Sequence, residues 1–560
     1  MPAPLDRTLR DRYEVLCSLW RPPVRDAATD WDGAGILDPD AGICINNHYS
    51  LSHVMWAAGL MHELTGEEAH GDRRDAMAAL LLEHAAGGYA PYDPNTVHWD
   101  FNNTAWLSCA RLPRAGRVAE LARRAGGLNR ENGTWAGNWL AMRRLNRDQR
   151  ASLGLRSTNW RHLPEAYLYR RLFRDDGGVD EFPERSRPIQ YHAYILAIML
   201  RRMICRGRIS RRDEARLLRG ATFLLAHVDE AGNANHRGRG QYQLFFEGCA
   251  RYVLEVLAAW FDEAEDGPCR TALAHLDRQD WPVRPDGLLA LVRTSPDSDR
   301  TGAFYDYHHP TVYNAFDLAW RLQAVVDRAA IAGRARPRMG PPERREGLFP
   351  DSGVAVRRWR DWLVVLSAGE DMYLSDVGVT FAHIGGPRGV LFTAPGGPHP
   401  GRYGGLHGSD HLRWNVFSPL VVGPDGQGLP HFHKGAIGEA DGATTVQVQG
   451  PAGSIRREFR ITGPRIEVTD VLRTRTAAGV RHVFHWAVPE PLRLERTADG
   501  RYSVAAPGAP PLAELRFADD RIPDLSVGDS FRGPGGVVRP WFLDARSMED
   551  RITFTLELQP

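Results

Sequence analysis

Two arginines in a glycine-rich loop offer the clearest binding chemistry in the sequence. Residues 235–248, NHRGRGQYQLFFEG, place Arg237, Arg239 and Gln241 directly before a strongly amphipathic stretch. Glycine lets the backbone approach a ligand, and a following helix N-terminus adds positive potential. Forked guanidinium groups bind carboxylate or sulfate in a bidentate manner. We therefore predict that these three side chains contact an anionic ligand; the alternative is that they are solvated surface groups.

A second candidate segment combines a glycine turn, an acidic loop and tyrosines. Residues 175–194, DDGGVDEFPERSRPIQYHAY, pass through Arg185 into a predicted helix that begins near Gln190 and carries Tyr191, His192 and Tyr194. Loops that lead into helix N-termini at the mouth of a helical barrel commonly form substrate sites. The alternative is that Tyr191 only packs against the loop.

Asparagine and histidine occur together in two further segments. CINNHYSLSH (44–53) contains Asn47 and His48, and STNWRHLPEAYLYRRLF (157–173) contains Asn159 and Trp160. Amide and imidazole groups can stabilise developing negative charge. Asparagine is equally common as a helix N-cap, so capping is the alternative for each.

Helical periodicity extends from about residue 46 to residue 330. The run Phe245, Cys249, Tyr252, Val256 and Trp260 follows the spacing of one helix face. Glycine pairs separate many such stretches and no strand pattern intervenes, which indicates paired helices wound into a barrel. No fixed-period repeat is evident, so the pattern favours an irregular (α/α) toroid over a repeat array.

The period of the apolar residues changes after a Pro/Arg/Gly-rich segment at 332–347. Near the C-terminus, Ile552, Phe554, Leu556 and Leu558 alternate with polar residues, which is typical of a strand with one buried face. Short strands with Gly/Pro turns indicate an antiparallel β-sandwich. We therefore predict an α+β multidomain chain, with a catalytic helical toroid at 1–335 and a β-sandwich at 336–560.

Composition excludes several classes of function. The 560 residues carry 70 basic and 69 acidic side chains, so no global field favours nucleic acid or a membrane surface. There is no zinc-type cysteine spacing, no apolar run long enough to span a membrane and no signal-peptide pattern at the N-terminus. The expectation is a cytoplasmic protein with free buried cysteines. The sequence leaves the oligomeric state open.

These motifs together resemble the heparinase II/III and oligoalginate lyase superfamily of polysaccharide lyases. The resemblance is carried by the DGG turn, by Glu184, Ser186 and Pro188, and by Tyr191-His192. Asn159-Trp160 is similar to the family's Asn-Trp helix, and Asn47-His48 matches an Asn-His pair of oligoalginate lyases. HGSDHLRW (407–414) resembles a histidine-bearing strand of the second domain, with His407 as the first choice and His411 as the alternate.

The resemblance implies a specific reaction, β-elimination at a uronic acid residue with a 4,5-unsaturated uronate product. Tyr191 would act as acid and base, with Tyr194 as a possible substitute. Asn159, or Asn47 with His48, would neutralise the carboxylate, and His407 would reach into the cleft. Arg237, Arg239, Gln241, Arg185, Trp160, Tyr194 and His192 would contact the anionic oligo- or polysaccharide. No cofactor is required, and a structural metal in the second domain stays open.

Two other functions remain compatible with the sequence. Helical toroids also host glycoside hydrolases, which need two positioned carboxylates. The available carboxylates are Glu165, Asp180, Glu181, Glu184 and Glu247. The third possibility is a non-catalytic protein of glycan binding or polysaccharide assembly.

Overall fold

The structure is a computed structural model, and all structural statements below refer to the residues that it describes. These are 6–23, 33–89, 92–93, 95–124, 130–155, 162–182, 188–236, 242–293, 309–334, 336–368, 379–386, 389–393, 420–422, 434–450, 453–474, 481–489, 491–518, 524–527, 531–533, 536–545 and 551–559.

Helices dominate the described part of the chain up to residue 332. They are α1 (Arg7–Ser18), α2 (Ser50–Thr65), α3 (Glu68–Ala86), α4 (Trp99–Ala110), α5 (Arg117–Arg124), α6 (Gly137–Ser152), α7 (His162–Arg171), α8 (Ile189–Arg206), α9 (Arg211–Ala226), α10 (Leu244–Phe261), α11 (Pro268–Asp277) and α12 (Pro310–Ala332). The predicted helical character of this region is confirmed.

The even-numbered helices contact one another in a closed cycle. Helix α2 contacts α4, α4 contacts α6, α6 contacts α8, α8 contacts α10, α10 contacts α12, and α12 returns to α2. The odd-numbered helices pack outside, each against one or two members of the cycle. Helices α2, α8, α10 and α12 are rich in apolar residues and buried on most faces, as helices surrounded by other helices must be.

All six helices of this cycle begin at the same end. An aromatic cluster joins their first turns, and its closest pair is Phe245 with Phe316, whose stacked ring centroids lie 4.1 Å apart. Its members come from α2, α4, α6, α8, α10 and α12 and are Tyr49, Phe101, Trp139, Tyr194, Phe245 and Phe316. The N-terminal ends of the six helices therefore surround one mouth, and this aromatic cluster forms its floor.

A repeated turn precedes three of these helices. The glycines Gly177, Gly232 and Gly287 are equally spaced along the chain, and each adopts a left-handed backbone conformation. In each turn the glycine N–H donates to the carbonyl three residues earlier, at 2.9–3.2 Å. A side chain at these positive φ values would be strained. The sequence analysis found no fixed-period repeat and did not detect these turns. They were hard to detect because the three copies share the turn but little of the sequence between the turns.

Three short strands lie among the helices, where none was predicted. They are β1 (Trp20–Arg21), β2 (Gly35–Asp38) and β3 (Ile43–Cys44), paired antiparallel. The buried Asp38 of β2 accepts hydrogen bonds from the Thr311 backbone N–H at 3.2 Å and from its hydroxyl at 2.7 Å. The small sheet therefore anchors the start of α12.

The described part beyond residue 346 is built of strands. They are β4 (Gly347–Phe349), β5 (Val354–Trp359), β6 (Trp362–Ala368), β7 (Val379–Gly386), β8 (Gly389–Thr393), β9 (Leu420–Val422), β10 (Lys434–Ala440), β11 (Ala443–Gly450), β12 (Gly453–Thr462), β13 (Arg465–Thr474), β14 (Arg481–Pro489), β15 (Arg493–Arg496), β16 (Tyr502–Ala505), β17 (Ala513–Phe517), β18 (Asp524–Val527), β19 (Phe531–Gly533), β20 (Gly536–Ala545) and β21 (Arg551–Leu558). Since α12 ends at Ala332 and β4 begins at Gly347, the change from helix to strand falls in the predicted segment 332–347.

Every strand pairing in this part is antiparallel. One sheet has the order β10-β11-β12-β13-β21-β17-β16-β15, a second runs β4-β5-β6-β7-β8, and a third runs β18-β20-β14-β9 with β19 beside β20. Side chains of the first two sheets, such as Leu366, Phe459 and Phe554, share one hydrophobic core. Strand β21 alternates between buried and more exposed residues, as its sequence predicts.

The helical and strand-rich parts pack against each other beside the first repeated turn. Ser352 donates to Asp176 from its backbone N–H at 2.8 Å and from its hydroxyl at 2.7 Å. A Cβ atom on Gly178 would collide with the Ser352 hydroxyl. Phe223 of α9 packs against Phe349 in a small apolar cluster. The DGG turn is thus held by the second part of the chain.

Candidate active site

The mouth of the helix cycle collects six helix N-termini, and acidic residues lie in the first turns of only α4 and α10 among them. Among the residues that the structure describes, no N-cap side chain of α2, α4, α6, α8, α10 or α12 accepts a hydrogen bond from its helix. The first turns of α2, α6, α8 and α12 contain no acidic residue. Helix N-termini carry partial positive charge and free N–H groups. Six of them around one opening favour an anionic ligand.

Asn47 and His48 lie at this mouth. The Asn47 amide donates to the Thr96 hydroxyl at 3.2 Å, and the Asn47 carbonyl accepts from the His98 N–H at 3.0 Å. Asn102 donates to the His48 carbonyl at 3.3 Å. These bonds attach the segment before α2 to the start of α4.

Three histidines meet at the same place and are called here the imidazole cluster, His48, His98 and His309. The ring centroid of His48 lies 4.4 Å from that of His98 and 5.1 Å from that of His309. Burial, and then the proximity of the other two rings, places the pKa of His48 well below its usual value. His48 is therefore neutral at pH 7 in the free protein. The sequence analysis selected His48 but neither His98, which carries no motif, nor His309.

Tyr191 lies across the mouth from His48. It is the third residue of α8, it is 5% exposed, and its ring centroid is 5.8 Å from that of Phe245. Helix α8 contacts α12, and α12 contacts α2, so α8 and α2 are two helix spacings apart. With interaxial distances of about 8–10 Å, the axes are roughly 16–20 Å apart. Tyr191 and His48 therefore come from helices that are not neighbours in the cycle.

Tyr194 and His192 occupy the packed interior, so the structure contradicts their predicted contact with substrate. Tyr194 is fully buried and its hydroxyl donates to the Met142 sulfur at 2.9 Å. His192 is 1% exposed and its Nε2 lies 2.9 Å from the Gly220 carbonyl oxygen. Burial lowers the pKa of His192 to about 4, so it does not supply the positive charge expected beside Tyr191. Helix α8 turns these two side chains inward, while the sequence pattern is compatible with either face.

Several predicted residues lie outside the described part of the chain. They are Asn159, Trp160, Arg185, Arg237, Arg239, Gln241 and His407, with its alternate His411. The base of the arginine loop is nevertheless described, since the Tyr242 N–H donates to the Asn235 carbonyl at 2.8 Å. Asn235 and Tyr242, the described residues on either side of it, therefore lie close together directly before α10.

A second Asn-Trp pair, Asn138-Trp139, lies in the first turn of α6. Asn138 is 3% exposed, and its side-chain oxygen is buried without a hydrogen-bond partner among the described residues. The ring of Trp139 stacks on His98 with centroids 5.6 Å apart. The Gly137 N–H donates to the Glu181 carbonyl at 2.5 Å, next to the loop that leads to Tyr191. The Asn-Trp dipeptide at 138–139 could have identified this position from the sequence, but the sequence analysis selected the same dipeptide at 159–160.

The structure contains no candidate metal site or membrane span in the regions that it describes. No group of three or more His, Cys, Asp or Glu side chains there has an arrangement that could hold a metal ion. None of the described helices combines the length and apolar character needed to cross a bilayer.

Comparisons with known proteins give a match in structure but not in sequence. No protein-family model matches the chain, and the comparison with curated protein sequences also gives no match. A mutant of the heparan sulfate lyase of Pedobacter heparinus superposes with a TM-score of 0.51 and 12% identity, over 99% of this chain and 83% of that one. The chondroitin AC lyase of Streptomyces coelicolor A3 gives a TM-score of 0.52 and 13% identity, over 99% and 80%.

The chain has the fold of these polysaccharide lyases. A further chondroitinase AC lyase agrees, with a TM-score of 0.50 and 10% identity over all of this chain and 81% of the other. The resemblance to heparinase-like lyases that the sequence motifs predicted is thus confirmed for the fold. At identities this low the similarity concerns the fold alone. An activity can therefore be inferred only from the residues at the mouth of the helix cycle.

Proposed function

We propose that this protein is a polysaccharide lyase that cleaves a uronic-acid-containing glycan by β-elimination. Its helices would form a closed (α/α) toroid and its sheets a β-sandwich, as the cyclic helix contacts and the shared core of two sheets suggest. The observation that carries the proposal is the mouth, where Tyr191 near the start of α8 and the imidazole groups before α2 and α4 lie at the same end of the helix cycle. Two structural neighbours are described as complexes with chondroitin sulphate or with oligosaccharides.

In the proposed reaction, one set of residues at the mouth binds the substrate carboxylate and Tyr191 transfers the proton. The substrate carboxylate would lie near Asn138 and His48, where N–H donors and helix N-termini stabilise the enolate-like intermediate. Tyr191 would remove the C5 proton and then protonate the leaving glycosidic oxygen. A phenolate is favoured by nearby positive charge, which the helix termini supply and the arginine loop of Arg237 and Arg239 would extend. Arg185, Gln241, Trp160, Asn159, Asn47 and His407 remain proposed contacts, and no cofactor takes part.

The carboxylates considered for a glycoside hydrolase are poorly placed for that chemistry. Glu165 is buried and bonded to Arg143 at 2.9 Å as well as to Arg147. Asp180 is buried and paired with Arg174, and Glu247 is buried and paired with Arg251. These three carboxylates are buried against arginine side chains, whereas a hydrolase needs two carboxylates that flank a substrate in an open cleft. The lyase is therefore the better-supported reaction.

The decisive experiment is to incubate the protein with chondroitin, heparan sulfate and alginate. The readout is the ultraviolet absorbance of a 4,5-unsaturated uronate. We expect product with at least one polymer, and we expect Tyr191→Phe to slow it by about 10²–10⁴-fold, the usual contribution of acid–base catalysis. The melting temperature should change little, because only a hydroxyl at the mouth is removed.

Tyr194→Phe is the matched control, since it removes a hydroxyl from the same helix in the packed interior. It should keep nearly full activity. Reducing-end release without unsaturated product would identify a hydrolase, and no cleavage of any polymer would favour a non-catalytic glycan-binding protein. Equal activity of wild type and Tyr191→Phe would remove Tyr191 from the mechanism.

A further inference from the structure

The imidazole cluster brings together residues from three separate parts of the chain. His48 directly precedes α2, His98 precedes α4 and His309 precedes α12. The His48 Nδ1 atom is buried and has no hydrogen-bond partner among the described residues. A buried polar atom without a partner costs free energy. Its position beside two further imidazoles suits a ligand that accepts hydrogen bonds.

Two carboxylates lie on the elements next to the cluster, one on α4 and one on β2. On α4, Asp100 is fully buried, lies 3.6 Å from Arg143 and accepts from the Asn132 N–H at 3.1 Å. On β2, Asp38 accepts both hydrogen bonds of Thr311 at the start of α12. The phenol rings of Tyr49 and Tyr313 complete the surroundings. The cluster therefore lies at three helix N-termini, close to Asp100, of which one oxygen accepts from Asn132 and the other has no hydrogen-bond partner among the described residues.

We propose that the imidazole cluster binds the carboxylate of a uronate and takes up one proton from solvent as it does so. The inference rests on the proposed function and deepens it, because it assigns His98 and His309 to the carboxylate-binding position. The proton moves from solvent to a ring nitrogen of the cluster. The resulting imidazolium then neutralises the carboxylate without any permanent positive side chain at this place.

The physical basis is the change of surroundings when an anion enters. In the free protein, burial and then the proximity of the other two rings lower the pKa of His48. A carboxylate within hydrogen-bond distance favours the protonated ring. Binding should therefore strengthen as pH falls towards 6, by up to about tenfold per pH unit for one linked proton.

The test is titration calorimetry with D-glucuronate as the probe and D-glucose as the uncharged control. The binding heat is measured at one pH near neutrality in two buffers that differ in ionisation enthalpy, so that the difference gives the protons taken up. We expect about one proton for each bound glucuronate. His98→Gln and His309→Gln should each lower that uptake by at least half and weaken binding. His62→Gln, at the opposite end of α2, should change neither.

Asp100 needs its own control, because burial raises its pKa to about 7 and it titrates in the same range. Proton uptake that survives in Asp100→Asn assigns the proton to the cluster. The proposal is overturned if wild type does not bind glucuronate, if it binds without proton uptake, or if uptake is lost only in Asp100→Asn. Proton-linked binding without unsaturated product from any polymer would instead refute the lyase and leave the binding site in place.

Discussion

Buried polar side chains at the two ends of the helix cycle differ in their hydrogen bonding. In the C-terminal halves of α8 and α12, Asp327 accepts two bonds from Arg201 at 2.7 and 3.1 Å and one from the Tyr252 hydroxyl at 2.7 Å. At the mouth, the Asn138 oxygen and the His48 Nδ1 are buried without partners among the described residues. The Asp327 carboxylate thus has three hydrogen-bond contacts, and the end of the cycle that contains it is called here the ion-paired end.

This difference indicates that the mouth is the end of the helix cycle that binds a ligand. Buried polar atoms are nearly always satisfied in folded proteins, so each exception needs a reason. At the ion-paired end, these contacts join α6, α8, α10 and α12. At the mouth, unsatisfied groups reduce stability unless something binds there. Substitutions at the two ends should therefore differ in whether they change stability or activity.

The largest stability effect is expected at Asp327. Asp327→Ala leaves the buried Arg201 without its counter-charge and should lower the free energy of unfolding by about 3–5 kcal/mol. Chemical denaturation measures this loss, and the activity of the molecules that remain folded should be unchanged. In the double variant Arg201→Met, Asp327→Leu, much of the loss should be recovered because both charges are removed. If the double variant is as unstable as the single one, the ion pair is not the cause.

Asn138 should show the reverse behaviour. Asn138→Ala removes a proposed donor to the substrate carboxylate, so turnover of the cleaved polymer should fall by about 10²–10³-fold, the loss seen for one oxyanion donor. Its unfolding free energy should be unchanged or higher, since an unsatisfied buried oxygen disappears.

Asn314 on α12 is the matched comparison for Asn138. Its amide both accepts from the Leu289 N–H at 3.0 Å and donates to the Leu289 carbonyl at 2.9 Å. Asn314→Ala should cost about 1–3 kcal/mol of stability, because buried backbone groups lose their partners. If Asn138→Ala is instead the destabilised variant with full activity, Asn138 has a structural role and does not contact the substrate.

The smallest change in the free energy of unfolding is expected for an exposed residue at the ion-paired end. Arg206 is 37% exposed and shares Asp148 with the more buried Arg202. Arg206→Ala should change the unfolding free energy by no more than about 1 kcal/mol, because exposed ion pairs are screened by water and salt. Denaturation at low and high salt should give nearly the same difference between the variant and wild type; a loss as large as that of Asp327→Ala would show that Arg206 is part of the buried network.

The sequence was sufficient for the local elements because their patterns are short-range. The spacing of Phe245, Cys249 and Tyr252 predicts the buried face of α10, and Ile552, Phe554 and Leu556 predict the alternation of β21. The loss of periodicity at 332–347 marks where helix gives way to strand. The motif around Tyr191 was enough to predict a lyase-like fold. Each of these signals depends only on neighbours along the chain.

Tertiary structure decided which side chains share the mouth. Tyr191 and Tyr194 are three residues apart on one helix and equally plausible in sequence, but only their packing shows that Tyr194 is sealed inside against Met142. His48, His98 and His309 meet although more than two hundred residues separate the last from the second. The closed cycle of helices brings α2, α4 and α12 side by side. Such contacts depend on how apolar faces pack across the whole chain, and no local pattern records them.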